Sequence, residues 1–307
     1  MSYSARMQKN HLYSVHLAPR GAIRMADAGA QIAQIYLSPY DNLIGVVGEA
    51  GSGKSMLIKG MFPGLELTND DSGVNIRPLP ILDLDDSSFF KPHTYHLDIR
   101  FEQGFHQLTD LADAIDEALS LNRRVIVEHF ELVYPLLKRN AHLLIGIGEE
   151  LIITRPSVFG PEPQDLVDIV MPSVRYRKMA HSAEDLVEQE LIEMGYGKFE
   201  HDDVRHGFIL SFENKPEIDI GKLEAIVQEK ISADLPISYK DDFHILLGDV
   251  LHYCTGPRMH VESTGKIENF RLHKEFLYDN FSKRYLLVGI IGLDKAMQLC
   301  ELNQIVI

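Results

Sequence analysis

The sequence predicts an α/β domain on a parallel sheet followed by an α+β domain. Three observations carry this. An apolar run at 42–47 enters a glycine-rich turn and is followed by helical composition, the order of a buried strand, a loop and a helix. Apolar runs then alternate with helical stretches as far as residue 155, the pattern of parallel strands joined by crossover helices. Past a proline-rich segment the pattern changes to helix, alternating strand, amphipathic helix and later strands.

In chain order, residues 1–40 are read as an N-terminal helical segment packing on the first domain. Within it GAIRMADAGAQIAQIYL (21–37) spaces Ile23, Ala30, Ile32, Ile35 and Leu37 along one expected face. NLIGVV (42–47) is the first buried strand and SMLIKGMF (55–62) the helix after it. LPILDL (79–84), RVIVEHF (124–130), HLLIGIG (142–148) and ELIITR (150–155) are further apolar runs, with a helix, LTDLADAIDEALSL (108–121), among them. RPSVFGPEPQ (155–164) interrupts the alternation and sets a boundary near 155–178, giving domains at 41–175 and 176–307. HSAEDLVEQELIEMG (181–195) reads as a helix offering Leu186, Leu191 and Met194 for burial and ending at a glycine. GFILSFE (207–213) alternates as a half-buried strand, DIGKLEAIVQEKISADL (219–235) is an amphipathic helix, and RYLLVGIIG (284–292) is a late strand.

Composition narrows the function classes. The 307 residues are 45% hydrophobic and 24% charged, values of a globular chain, and no run reaches the roughly 18 apolar residues of a membrane helix. The basic opening MSYSARMQKNHLYSVHLAPRG lacks an apolar core of signal-peptide length, and the two cysteines, Cys254 and Cys300, make no disulfide framework; both lead us to expect a cytoplasmic protein. A net charge of −15 argues against general nucleic-acid binding, although residues 258–284 are locally basic.

GEAGSGKS (48–55) is a complete G-x-x-x-x-G-K-S pattern between a strand and a helix, the context a P-loop needs. Gly48, Gly51 and Gly53 let the backbone curl so that its N–H groups, with that of Ser52, face phosphate oxygens at a helix N-terminus. Lys54 would reach the β- and γ-phosphates, and Ser55 would hold Mg²⁺. The first domain is thus expected to be an α/β P-loop NTPase domain with ATP or GTP and Mg²⁺ as cofactors. The acid at the end of a second strand is expected to be Glu128, in VIVEHFE, with Glu131, Asp83 and Asp85 as other candidates. Arg155 is a candidate phosphate contact, with an ordinary surface arginine as the other reading. Asp70 and Asp71 could position an acceptor or simply form a turn. His93, His96 and Asp98, in KPHTYHLDIRFEQGF, are accounted for by alternation on a strand.

In the second domain, HSAED opens a helix at His181, and some seventy residues later CTGPRMHVESTGKIENFRL places Cys254 and His260 around a Gly-Pro. This pair of motifs resembles the second additional domain of threonyl- and alanyl-tRNA synthetases, shared with free-standing alanyl-tRNA editing proteins. The pattern there is H-x-x-x-H on a helix, then C-x-x-x-H. The likeness spans roughly residues 178–290 and includes the Gly-Pro, the His-Val, Thr264 and the trailing Phe-Arg-Leu. It implies an editing-type fold, hydrolysis of mischarged aminoacyl-tRNA, and zinc held by or a pocket lined by His181, Asp185, Cys254 and His260. It also implies tRNA or an aminoacyl-adenosine-like ligand as partner.

The residue chemistry is compatible. His181 and Asp185 stand at i and i+4 on one helix face, and thiolate, imidazole and carboxylate all bind zinc. Two departures fall within the pattern: Asp185 replaces a histidine, and Arg258 and Met259 lengthen the second motif to C-x5-H. A retained fold with His181 and Cys254 as packed core residues is the competing reading. The expected function is an NTP-dependent kinase or NTPase acting on, or regulated by, an aminoacyl-tRNA-like ligand. The alternatives are a metal-dependent trans-editing hydrolase and a nucleotide-switched scaffold without turnover.

Overall fold

The computed structural model describes every residue except 1–12, 69–78, 83–92, 294–298, 300–301 and 304–307. Asp70, Asp71, Asp83, Asp85 and Cys300 lie outside the described residues. The chain divides into two compact units. One comprises Met1–His16 with Ile23–Pro172, the other Leu17–Ala22 with Ser173–Ile307.

The elements running through the first unit are β1 (Tyr13–Leu17), α1 (Ala22–Tyr36), β2 (Leu43–Gly48), α2 (Lys54–Met61), β3 (Thr94–Asp98), α3 (Ile99–Glu102), α4 (Leu108–Ser120), β4 (Arg124–Glu128), α5 (Phe130–Leu137), β5 (Leu143–Ile147) and β6 (Glu150–Thr154). The long helix α6 (Pro163–Glu193) follows. One sheet forms in the order β1-β6-β5-β2-β4-β3. β3, β4, β2 and β5 are mutually parallel, and β2 and β5 are buried along their whole length. The apolar runs are continuous because both faces of such a sheet are covered.

The sheet is mixed, which corrects the all-parallel expectation. β6 runs antiparallel to β5 because only Gly148 and Glu149 separate them, too few residues for a crossover. The second parallel strand is Thr94–Asp98, while the apolar run at 79–82 contributes a 3₁₀ turn, Pro80–Leu82. The face of α1 also differs from the expected one. Met25, Gly29 and Ile32 are buried, while Ile23 and Ile35 are exposed. Close helix packing sets that face: a Cβ on Gly29 would lie 2.2 Å from the Leu57 carbonyl oxygen of α2.

The second unit takes α6 from Ser173 onward and adds β7 (Glu200–Val204), β8 (Gly207–Phe212), α7 (Ile220–Ser232), β9 (Ile237–Asp241), β10 (His244–Leu247), β11 (Val250–Tyr253), β12 (Arg271–Leu272), β13 (Leu277–Asp279) and β14 (Arg284–Ile290). One antiparallel sheet runs β12-β14-β8-β7 with β13 beside β14, and a second runs β11-β10-β9. Leu186, Leu191, Phe208, Leu210, Leu223 and Leu287 form its core. α6 starts at Pro163, eighteen residues before the expected start at His181. A first-turn proline suits a helix, and the Pro172 inside it loses one backbone bond without ending it. Met194 is exposed, one residue beyond the helix end. β8 is buried nearly throughout rather than alternating, as befits a strand with a neighbour on each side. Among the described residues no helix is long and apolar enough to cross a membrane.

Candidate phosphate loop and metal centre

The glycine loop leaves β2 at Gly48 and enters α2 at Lys54. Gly51 and Gly53 have φ of 78° and 92°, a region glycine enters without steric cost. At Gly48 a Cβ would meet the Ser52 hydroxyl at 2.9 Å and the Ile147 carbonyl at 3.0 Å, so the close approach also demands glycine. Ser52 and Lys54 are both buried. The Lys54 ammonium donates to the carbonyls of Glu49 (2.9 Å) and Gly48 (3.2 Å) and lies 3.8 Å from Glu128 Oε2.

Glu128 ends β4, directly beside β2, with Val46 as its register partner. Ser55 donates its hydroxyl to Glu128 Oε1 at 3.2 Å. The two groups expected to face a magnesium ion therefore meet. His96, on β3, takes a part that alternation alone did not reveal. Its Nδ1 accepts from the Thr68 backbone N–H at 3.1 Å, so the proton sits on Nε2, which donates to Glu128 Oε1 at 3.1 Å. Burial works against the Glu128 carboxylate, but His96, Lys54 and Ser55 outweigh it and hold its carboxyl below the ordinary value. Beside His96 opens a cavity of about 590 Å³, lined among others by Phe62, Leu65, Ile81 and Tyr95. Arg155 lies elsewhere, clasping both carboxylate oxygens of Asp41 at 2.7 and 2.9 Å. Asp41 precedes β2, at the end opposite the loop, so Arg155 is a structural arginine. Glu131 pairs with His129 at 3.2 Å.

In the second unit the four expected ligands converge. Their donor atoms all lie within 4.8 Å of one another. Cys254 Sγ is 3.4 Å from His181 Nε2 and 3.9 Å from His260 Nε2, and His260 Nε2 is 2.7 Å from Asp185 Oδ2. The two-residue insertion is absorbed by a turn in which Met259 N–H bonds the Gly256 carbonyl at 3.0 Å. Arg258 is exposed over the Tyr239 ring and Met259 is buried, which returns His260 toward Cys254. Ser182 ties the segment to α6, accepting from Val261 N–H at 3.0 Å and donating to the Lys178 carbonyl. Thr264 is a pin rather than a ligand: its hydroxyl accepts from Leu235 N–H and donates to the Lys230 carbonyl.

Hydrogen bonding at His260 tests the fit of a cation. Pro257 offers only a carbonyl to Nδ1, at 3.1 Å, so Nδ1 carries a proton. In the neutral ring Nε2 is then a bare lone pair facing a carboxylate oxygen. A proton or a metal ion has to lie between them. Thiolate, two imidazoles and a carboxylate are a zinc-type donor set, and the backbone bond at Nδ1 orients the ring as metal-bound histidines require. Burial pushes His181 down to about 3, leaving a neutral donor. Burial and the nearby Asp185 push the Cys254 thiol well up, so its proton leaves only in exchange for a cation. Burial opposes the Asp185 carboxylate, yet the surrounding His181, His260 and His252 hold it below its ordinary value.

Three neighbours were not singled out from the sequence. Arg20 donates to Glu184 at 2.9 Å and pairs with Asp203 at 3.0 Å; Glu184 in turn meets His201 at 3.1 Å. Glu188, one turn beyond Asp185, is raised to about 7 by burial and by Asp185. His252, buried on β11, lies 3.9 Å from Asp185 and 3.8 Å from Glu188. The signal for His252 was its place two residues before Cys254.

The chain matches no protein-family model and no curated protein sequence.

Proposed function

We propose that the first unit binds a nucleoside triphosphate, ATP or GTP, with Mg²⁺ and transfers or hydrolyses its terminal phosphoryl group. The meeting of Lys54, Ser55 and Glu128 around a glycine loop carries this reading. Backbone N–H groups of 51–55 would cradle the phosphates, and Lys54 would exchange its loop carbonyls for phosphate oxygens. Magnesium would supply charge neutralisation at the phosphates, held through Ser55 and Glu128. His96 donates to the same Oε1 that Ser55 contacts and so fixes the Glu128 carboxylate. The cavity beside His96 has the size of a small-molecule site, which favours a small phosphoryl acceptor over water alone.

The test is nucleotide binding by calorimetry with Mg²⁺, for the intact chain and for Lys54→Ala. Two charge-assisted hydrogen bonds, each about 1.5–3 kcal/mol, correspond to roughly 10²- to 10⁴-fold weaker binding in the variant. A protein that binds neither ATP nor GTP ends the reading. Tight binding without turnover replaces it with a nucleotide-switched scaffold.

The convergence at His260 favours a second activity in the second unit, metal-dependent hydrolysis of an aminoacyl-tRNA-like ester. His181, Asp185, Cys254 and His260 would hold zinc, which would supply Lewis acidity toward the ester carbonyl. The resemblance to synthetase editing domains supplies the substrate class. Metal analysis followed by a deacylation assay with mischarged alanyl- or threonyl-tRNA tests it. Absence of zinc together with unchanged behaviour of Cys254→Ala leaves the packed-core reading in its place.

A further inference from the structure

Beside the four-ligand cluster, and sharing Asp185 with it, lies a second group of donors: Asp185, Glu188 and His252. His252 is 6% exposed, and its Nε2 makes no hydrogen bond although it is buried. That nitrogen instead faces two carboxylates, Asp185 Oδ1 at 3.9 Å and Glu188 Oε2 at 3.8 Å. Native interiors rarely leave such an atom unpaired, and two carboxylates converging on it are the surroundings of a cation site rather than of a packed ring.

We infer that the second unit holds two divalent metal ions bridged by the Asp185 carboxylate, the second bound by Asp185, Glu188 and His252. This rests on the metal-centre reading of the first cluster and extends it.

The backbone divides the donors in an orderly way. On α6, His181, Asp185 and Glu188 follow at spacings of four and three, so all three lie on one face. His181 serves the first group, Glu188 the second, and Asp185 stands between them. On the facing segment His252 lies in β11 and Cys254 directly follows its end, and both are buried, Cys254 in the first group and His252 in the second. Each element thus supplies one private donor to each position, and His260 completes the first. An imidazole at position 185 would offer only one nitrogen to this space. A carboxylate offers two oxygens, and here Oδ2 contacts His260 while Oδ1 faces His252. The departure from the H-x-x-x-H pattern becomes intelligible as the residue type that two ions can share. Paired sites of this kind hold ions about 3.5–4 Å apart, a separation one carboxylate spans.

The two positions differ in what they leave open. The first has four protein donors, so a substrate oxygen would reach its ion only as a fifth ligand. The second has three, with Glu188 toward solvent at 16% side-chain exposure and His201 Nε2 4.0 Å from its carboxylate. It therefore keeps room for a small oxygen ligand, and it is the more exchangeable of the two.

The test is metal stoichiometry. The intact 307-residue chain is loaded with Zn²⁺ or Co²⁺, desalted and assayed for metal per chain by mass spectrometry, alongside Glu188→Gln and His252→Asn. Circular dichroism checks that each variant is folded. Glu188→Gln is isosteric and lies at the edge of the site, so it keeps the test alive if His252→Asn fails to fold. The expected result is one ion fewer per chain in each folded variant than in the wild type. The cobalt-loaded variants should retain the thiolate-to-cobalt absorption band from Cys254 and lose the magnetic coupling between two Co²⁺ ions seen by electron paramagnetic resonance in the wild type. A wild type binding a single ion through Cys254, or variants with wild-type stoichiometry, overturns the paired site and leaves the four-ligand centre standing. No bound metal at all overturns both.

Discussion

Gly256 sits in the loop of the proposed metal cluster without being one of its ligands, and Gly256→Ala isolates the role of that loop. A Cβ there would lie 2.4 Å from the Arg20 carbonyl oxygen and 2.8 Å from His181 Cε1. Ordinary contact begins near 3.4 Å, so the backbone of Arg20 must withdraw by about 1 Å and the His181 ring by about 0.6 Å. Metal–ligand distances tolerate only about 0.2 Å, so a displaced His181 is carried outside bonding range. The expected consequences are a stability loss of about 1–3 kcal/mol from overpacking and a zinc affinity lower by roughly 10- to 100-fold. Competition with a chromogenic chelator measures the affinity, and thermal unfolding with and without zinc measures the stability. Gly197→Ala, where the added methyl meets nothing within 4 Å, is the control and should match wild type. If Gly256→Ala binds zinc within threefold of wild type and unfolds at the same temperature, the loop does not position His181 and the reasoning fails.

Arg20→Met should destabilise the second unit by about 3–5 kcal/mol, because Glu184, 2% exposed, loses its guanidinium partner; chemical denaturation reads this. His206 supplies a pH dependence. Burial, with Arg205 and Arg175 nearby, lowers it to about 4. It is neutral in the folded chain where the unfolded chain takes up a proton, so stability is complete above pH 6.5 and declines as pH falls from 6.5 through 4. His206→Asn, which tolerates the left-handed backbone at φ 54°, should flatten that decline in denaturation curves collected across the range.

The legible parts of the sequence were those where one local rule acts without a competitor. GEAGSGKS specifies a tight loop between β2 and α2 because Gly51 and Gly53 take positive φ and Gly48 has no room for a side chain. Glu128 was placed at a strand end because the β-branched run VIV before it favours a buried strand, which is β4. The direction of β6 was not drawn from its apolar run, since periodicity carries no sense of orientation; the two-residue link to β5 held that information. Large apolar residues do not mark the buried face of α1, because its closest contact is made by Gly29, where the absence of a side chain is what packs. His96, Glu188 and His252 were missed for a common reason. Each acts through a partner on another element, and a single histidine or glutamate in a helix or strand carries no mark of what faces it. Where the Arg258–Met259 insertion would carry His260 was not legible, because it depends on the turn closed by Met259 N–H on the Gly256 carbonyl, which brings His260 beside Cys254 and Asp185.

Residues 17–22 belong to the second unit although those on either side belong to the first. That brief excursion makes the second unit discontinuous in sequence, with consequences for how the chain is made and cut. A ribosome delivers Arg20 long before Glu184 exists, so an early guanidinium waits for its carboxylate until most of the polypeptide has emerged. A fragment starting at Ser173 would contain every proposed metal ligand and still lack the cation that neutralises Glu184 on the helix carrying three of them. Dissection of this protein into its two halves therefore separates the proposed ligands from their support, and tests of the proposed metal sites belong to the uncut chain.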